Sequence, residues 1–232
     1  MNSRRVLLLT AIALIAILVL PHDALAHNVS KRDASFVQSN HGVAIAPFMY
    51  LGAKHMVTGY DHLAFLVGVI FFLYRMKDIV TYVSLFTLGH SVTLLAGVLG
   101  NIHANSNIID AIIGFSVVYK AFDNMDGFRR LFGFEPNTKI AVLIFGLFHG
   151  FGLATKLQEL DLAKNGLVTN IVSFNVGVEI GQVLALTAVL ILLTLWRTRP
   201  GFYRYAFATN TALMVVGFVL VGYQLAGYSL SS

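Results

Sequence analysis

Imidazole, carboxylate and carboxamide side chains recur at a few places in an otherwise apolar chain: His55, Asp61, His62, His90, His149, Asn175 and Glu179. Imidazole and carboxylate are donors that divalent transition metals take from proteins, and a neutral imidazole enters an apolar interior without burying a charge. A dication held by His62, His90 and His149 needs carboxylates for neutralisation, and Asp61 and Glu179 can supply them. The chain has no cysteine, so thiolate sites and disulfides are excluded. What remains is nitrogen and oxygen coordination, a donor set that accepts nickel, cobalt, zinc, iron or copper.

Spacing limits which residues can share an ion. His55 and His62 are seven residues apart, about 10.5 Å along a continuous helix, too far to chelate one ion. They can meet only if the backbone breaks near Thr58-Gly59, where glycine permits it. Asp61 and His62 are adjacent, so one would ligate while the other orients. Asn175 and Glu179 stand four apart and share a helix face. Phe86-x-Leu88-x-His90-x-x-x-Leu94 is echoed by Phe145-x-Leu147-x-His149-x-x-x-Leu153, which expects two histidines at matched depth on two helices. Gly89, Gly146, Gly150, Gly152, Gly177 and Gly181 flank these positions and expect close helix packing. Asp110 either caps its helix or joins the polar set. Upstream, His27 and His41 are candidate capture ligands.

The elements that must position these residues are membrane helices. Of 232 residues, 57% are hydrophobic and 12% charged, about half the charge of an ordinary soluble domain. The mean hydropathy of +0.76 agrees. A soluble domain, a disordered chain and a coiled coil are excluded. The net charge of +5 reads as Lys and Arg held at the inner ends of helices, not as a nucleic-acid site.

Arg4 and Arg5, an apolar run from Val6 to Leu20, Pro21 and Ala24-Leu25-Ala26 have the form of a signal peptide, expected over residues 1–26 with His27 as the mature N-terminus. A bidentate arm of α-amine and imidazole would then begin the chain. Residues 27–54 read as an outer, periplasmic segment and 55–232 as a membrane domain. Six spans are expected near Tyr60–Tyr74, Ile79–Leu99, Ile108–Phe122, Ile140–Leu157, Leu167–Trp196 and Ala206–Ala226. The fold class is thus all-α, a polytopic membrane helix bundle after a cleaved signal peptide. With both mature termini outside, the inner segments carry nine Lys and Arg against five in the outer ones, as the positive-inside bias requires. None of the intramembrane polar residues then falls in the inner third, which implies a polar cavity open to the periplasmic side.

His55-x-x-x-Gly59-x-Asp61-His62-Leu63, Gly89-His90-Ser91, Phe148-His149-Gly150-Phe151-Gly152 and Phe174-Asn175-x-Gly177-x-Glu179-x-Gly181-Gln182 together resemble the HupE/UreJ family of bacterial membrane proteins. The resemblance runs from about Leu51 to Gln182. It implies an inner-membrane protein associated with nickel or cobalt uptake for hydrogenase and urease, with metalloenzyme maturation proteins as partners. Met56 stands where the family's usual pattern has proline, and Leu153 where it has a further histidine; the chain resembles the divergent branch.

Three functions fit these residues. The first is a transporter or facilitator of a divalent transition metal, nickel foremost, with the lipid bilayer and the ion as its partners. The second is a zinc-dependent intramembrane hydrolase with Ser91 or Ser173 supporting an oxyanion. The third is a non-transporting accessory protein that delivers metal.

Overall fold

The computed structural model describes residues 31–40, 42–159 and 165–231; the expected leader, His27 and His41 lie outside the described residues. Among the described residues all regular structure is helical: α1 (Lys31–Ser39), α2 (Ile45–Thr58), α3 (Tyr60–Ile70), α4 (Met76–Leu99), α5 (Ser106–Asn124), α6 (Gly127–Phe132), α7 (Thr138–Gln158), α8 (Leu167–Arg197) and α9 (Phe202–Ser231).

Four of these, α4, α7, α8 and α9, are long and apolar enough to cross a membrane, and the chain is a membrane protein. Helix α8 has 31 residues, or about 46 Å, well beyond a ~30 Å hydrocarbon core. Helix α5 has 19 residues but carries Asp110, Lys120 and Asp123. These charges are neutralised in place, since Lys120 donates to Asp123 Oδ2 at 2.6 Å and Lys156 of α7 donates to Asp110 Oδ2 at 2.6 Å. Helix α3, with 11 residues, is apolar but short.

Each expected span has a helix within a few residues of its bounds, whereas α2 corresponds to none of them. Its apolar pattern is interrupted by Pro47, Gly52, Lys54 and His55, which hides it. Pro47 falls in the first turn, where a helix has no intrahelical use for the missing N–H. Phe48, Leu51 and Met56 are then buried. Lys54 donates to Asp33 Oδ2 at 2.6 Å and ties α1 to α2.

The helices associate in three long pairs, α2 with α8, α4 with α7 and α5 with α9, while α3 touches α4, α5, α8 and α9. The pairs approach so closely because glycine stands at their crossings. A Cβ on Gly150 would run into the His90 carbonyl, and one on Gly177 into that of Met49. In lipid, where no apolar driving force separates helix from solvent, such backbone proximity is what holds helices together. At the other end of α3, Arg197 donates to the carbonyls of Ile70 and Phe71 at 2.6 and 2.8 Å and lies 4.6 Å from the centre of the Tyr74 ring. This satisfies carbonyls that the helix end leaves open.

Candidate metal centre

Gly59 separates α2 from α3 and is itself non-helical (φ −74°, ψ 94°). Its N–H donates to the His55 carbonyl at 2.8 Å, and its carbonyl accepts from Leu63 N–H at 3.0 Å. A Cβ here would stand 3.1 Å from both the His55 carbonyl and His62 Nδ1, so glycine makes room for the turn. The break brings the His55 and His62 rings to 5.3 Å between centres, about half the separation a continuous helix would impose.

The other two rings come from the α4–α7 pair. His90 and His149 are carried to His62 by the close contact at Gly150, with ring centres 5.8 and 4.6 Å from it. His62, His90 and His149 are all buried. Phe65 and Phe86 lie beside them, 5.3 and 5.1 Å from the His149 ring, so one side of the cluster is aromatic.

Hydrogen bonds fix how two of these rings present their nitrogens. Ser116 donates its single hydroxyl proton to the Ile113 carbonyl at 2.6 Å. The same oxygen lies 3.1 Å from His149 Nε2, so it accepts a proton from that nitrogen. His149 Nδ1 therefore carries the lone pair, and it is buried with no hydrogen-bond partner among the described residues. Asp61 Oδ1 accepts from His62 N–H at 2.8 Å and stands 3.3 Å from His62 Nδ1. That contact puts the proton on Nδ1 and the lone pair on Nε2. Both ring nitrogens of His90 are buried without a partner among the described residues.

The rings meet edge to face, at 66° to 85° for the contacts His62 makes with the other three. Among the described residues no three His, Asp or Glu side chains form a ready-made metal cage. The donor chemistry nonetheless fits a borderline divalent ion, which takes imidazole and carboxylate readily. Buried ring nitrogens without partners are costly unless another group satisfies them.

The remaining candidates flank the ring cluster or line the groove between α4 and α8. Asn105, not Asp110, caps α5, its side chain accepting from Ile108 N–H. Asp110 is held by Lys156 and by Gln224 Nε2 at 3.4 Å, with its Oδ1 buried and unpartnered among the described residues. Asn175 and Glu179 line a groove between α4 and α8, where Asn175 Nδ2 donates to Ser91 Oγ at 2.9 Å and Glu179 is exposed. Ser173 donates to the Thr169 carbonyl of its own helix.

Two residues escaped sequence reasoning. Ser116 looks like any hydroxyl in an apolar helix, and only its distance to His149 reveals its part. Lys156 reads as a charge at a membrane interface, while in the fold it is buried against Asp110. The signal for the latter was a basic residue seven positions from His149, two turns along the same helix face.

No curated protein sequence and no solved structure matches the chain. A family model described as HupE / UreJ protein matches residues 31–232, from α1 to the C-terminus through every element that carries a histidine of the site, and the chain belongs to the HupE/UreJ family.

Proposed function

We propose that this protein admits a divalent transition metal ion, nickel or cobalt, across the bacterial inner membrane, with His55, Asp61, His62, His90 and His149 as the ligands that replace its water shell. The family is associated with nickel and cobalt transport. The observation that carries the reading is His90: a buried imidazole with neither nitrogen partnered among the described residues, beside a His149 whose Nδ1 lone pair is held available by Ser116. Binding would require the rings to rotate about their side-chain torsions so that their lone pairs meet the ion. The break at Gly59 is the element that would allow it, because His55 and His62 sit on two short helices joined through a non-helical glycine. Broken helices of this kind are where membrane transporters hold ions.

The decisive experiment is uptake into proteoliposomes containing the purified chain, offered nickel, cobalt, zinc, iron, manganese and copper, together with metal analysis of the protein. Saturable entry of nickel or cobalt, abolished by His90→Ala, is the expected result. Metal retained without entry would replace transport with storage or delivery, and no retention of any ion would end the reading.

For transport, the bundle is proposed to cross the membrane six times, with α2 and α3 together forming one broken crossing and α5 another, and with both mature termini outside. The segment around α6, with Arg129 and Arg130, then faces the cytoplasm. A reporter inserted at Gly133, an exposed glycine at the end of α6, should report a cytoplasmic location; a periplasmic signal there sinks this topology.

A further inference from the structure

Two polar ladders face each other between α4 and α8. Ser84, Thr87 and Ser91 recur at helical spacing on one face of α4, and Asn175, Glu179 and Gln182 do so on α8. They line a groove of about 460 Å³. Thr87 donates to Gln182 Oε1 at 2.8 Å, and Asn175 Nδ2 donates to Ser91 Oγ at 2.9 Å, so the two ladders touch at two rungs.

Between those rungs the groove is unsatisfied. Glu179 has no hydrogen bond or ion pair among the described residues, and no Lys, Arg or His lines the groove with it. Asn175 and Gln182 are 9% and 1% exposed, and Asn175 Oδ1 and Gln182 Nε2 are buried without partners among the described residues. Turning the Gln182 amide over costs no hydrogen bond, because the Thr87 hydroxyl accepts as well as it donates; the amide then offers an oxygen where its nitrogen stood. A carboxylate on a membrane-crossing helix is expensive without a counter-charge, and the described residues supply none in this groove.

We infer that the α4–α8 groove is a second cation site, built from oxygen donors and selective for a hard monovalent ion such as sodium. The donors are the Glu179 carboxylate, the Asn175 and Gln182 carbonyls and the hydroxyls of Ser84, Thr87 and Ser91. Such oxygens suit hard cations, whereas imidazoles suit borderline ones, so the two sites separate by chemistry. A single carboxylate also sets the charge: a monovalent ion neutralises it, while a divalent ion leaves an uncompensated positive charge at membrane depth. The assignment stands apart from the identity of the ion at the histidines.

The test is thermal unfolding of the purified full chain in detergent, followed by circular dichroism, in sodium chloride against choline chloride at equal ionic strength. Sodium should raise the midpoint in a saturable way, as a ligand that binds only the folded state does. Glu179→Gln and the isosteric Thr87→Val should each lose that shift, and His149→Ala should keep it. Thr87→Val leaves every charge in place, so it decides the matter if Glu179→Gln does not fold. Equal midpoints in the two salts, a shift surviving in Thr87→Val, or a shift produced by nickel chloride and not by sodium would each overturn the assignment.

Discussion

His149→Ala should lose metal retention altogether while the helices remain inserted. The loss has two parts. The variant removes the one imidazole whose tautomer is fixed by a hydroxyl that has already spent its proton, on the Ile113 carbonyl. It also leaves a void beside Phe65 and Phe86, which pack on the ring. Ser116→Ala separates these parts, because it frees the tautomer without removing the ligand. Partners that orient a ligating histidine contribute about 10–100-fold in metal affinity, and Ser116→Ala should weaken binding by that amount. His103, exposed in the loop after α4, supplies the control: His103→Ala should bind as the parent does. Equilibrium dialysis on the purified variants gives the affinities, and circular dichroism shows whether the helices persist. Full affinity in His149→Ala would remove the histidines from the metal chemistry.

What the sequence could and could not reveal follows from the solvent these helices live in. The apolar runs announce α4, α5, α7, α8 and α9 because lipid demands length and apolarity. The histidines announce themselves because an ionisable group in such a run is costly. The break at Gly59 was legible too, since two histidines seven apart can meet only through it, and the rings do meet. The direction each residue faces was not legible. In a soluble helix the apolar stripe marks the inside, but in lipid the outside is as apolar as the core. Glu179 and Asn175, one turn apart, could be grouped from the sequence but not given a facing, and the fold places them along the groove between α4 and α8. Helix α2 was hidden by its polar interruptions: Lys54 pairs with Asp33 of α1, and the His55 ring packs against His62 of α3.

The Lys156–Asp110 pair should show the largest stability effect in the molecule. Both side chains are buried, at 8% and 7% exposure, and their charged atoms are 2.6 Å apart. Removing one partner leaves the other charge buried and unpaired, which costs about 3–5 kcal/mol, whereas replacing both with neutral groups of similar size is often close to neutral. Lys156→Met should thus lower the unfolding midpoint sharply. Adding Asp110→Asn should restore most of it, because an uncharged amide remains able to bond with Gln224, which already donates to this position. Additive losses in the double variant would show that the two groups act independently. The pair also bears on the site beside it: Asp110 Oδ1 has no partner among the described residues and lies 3.5 Å from where a Gly152 side chain would begin. Gly152 is three residues from His149, so this carboxylate borders the histidines with its charge already matched by Lys156. The restored double variant therefore separates stability from binding. If it folds as the parent does and binds metal equally well, the pair serves the fold alone; if it folds but binds more weakly, Asp110 contributes its charge to the ion as well as to Lys156.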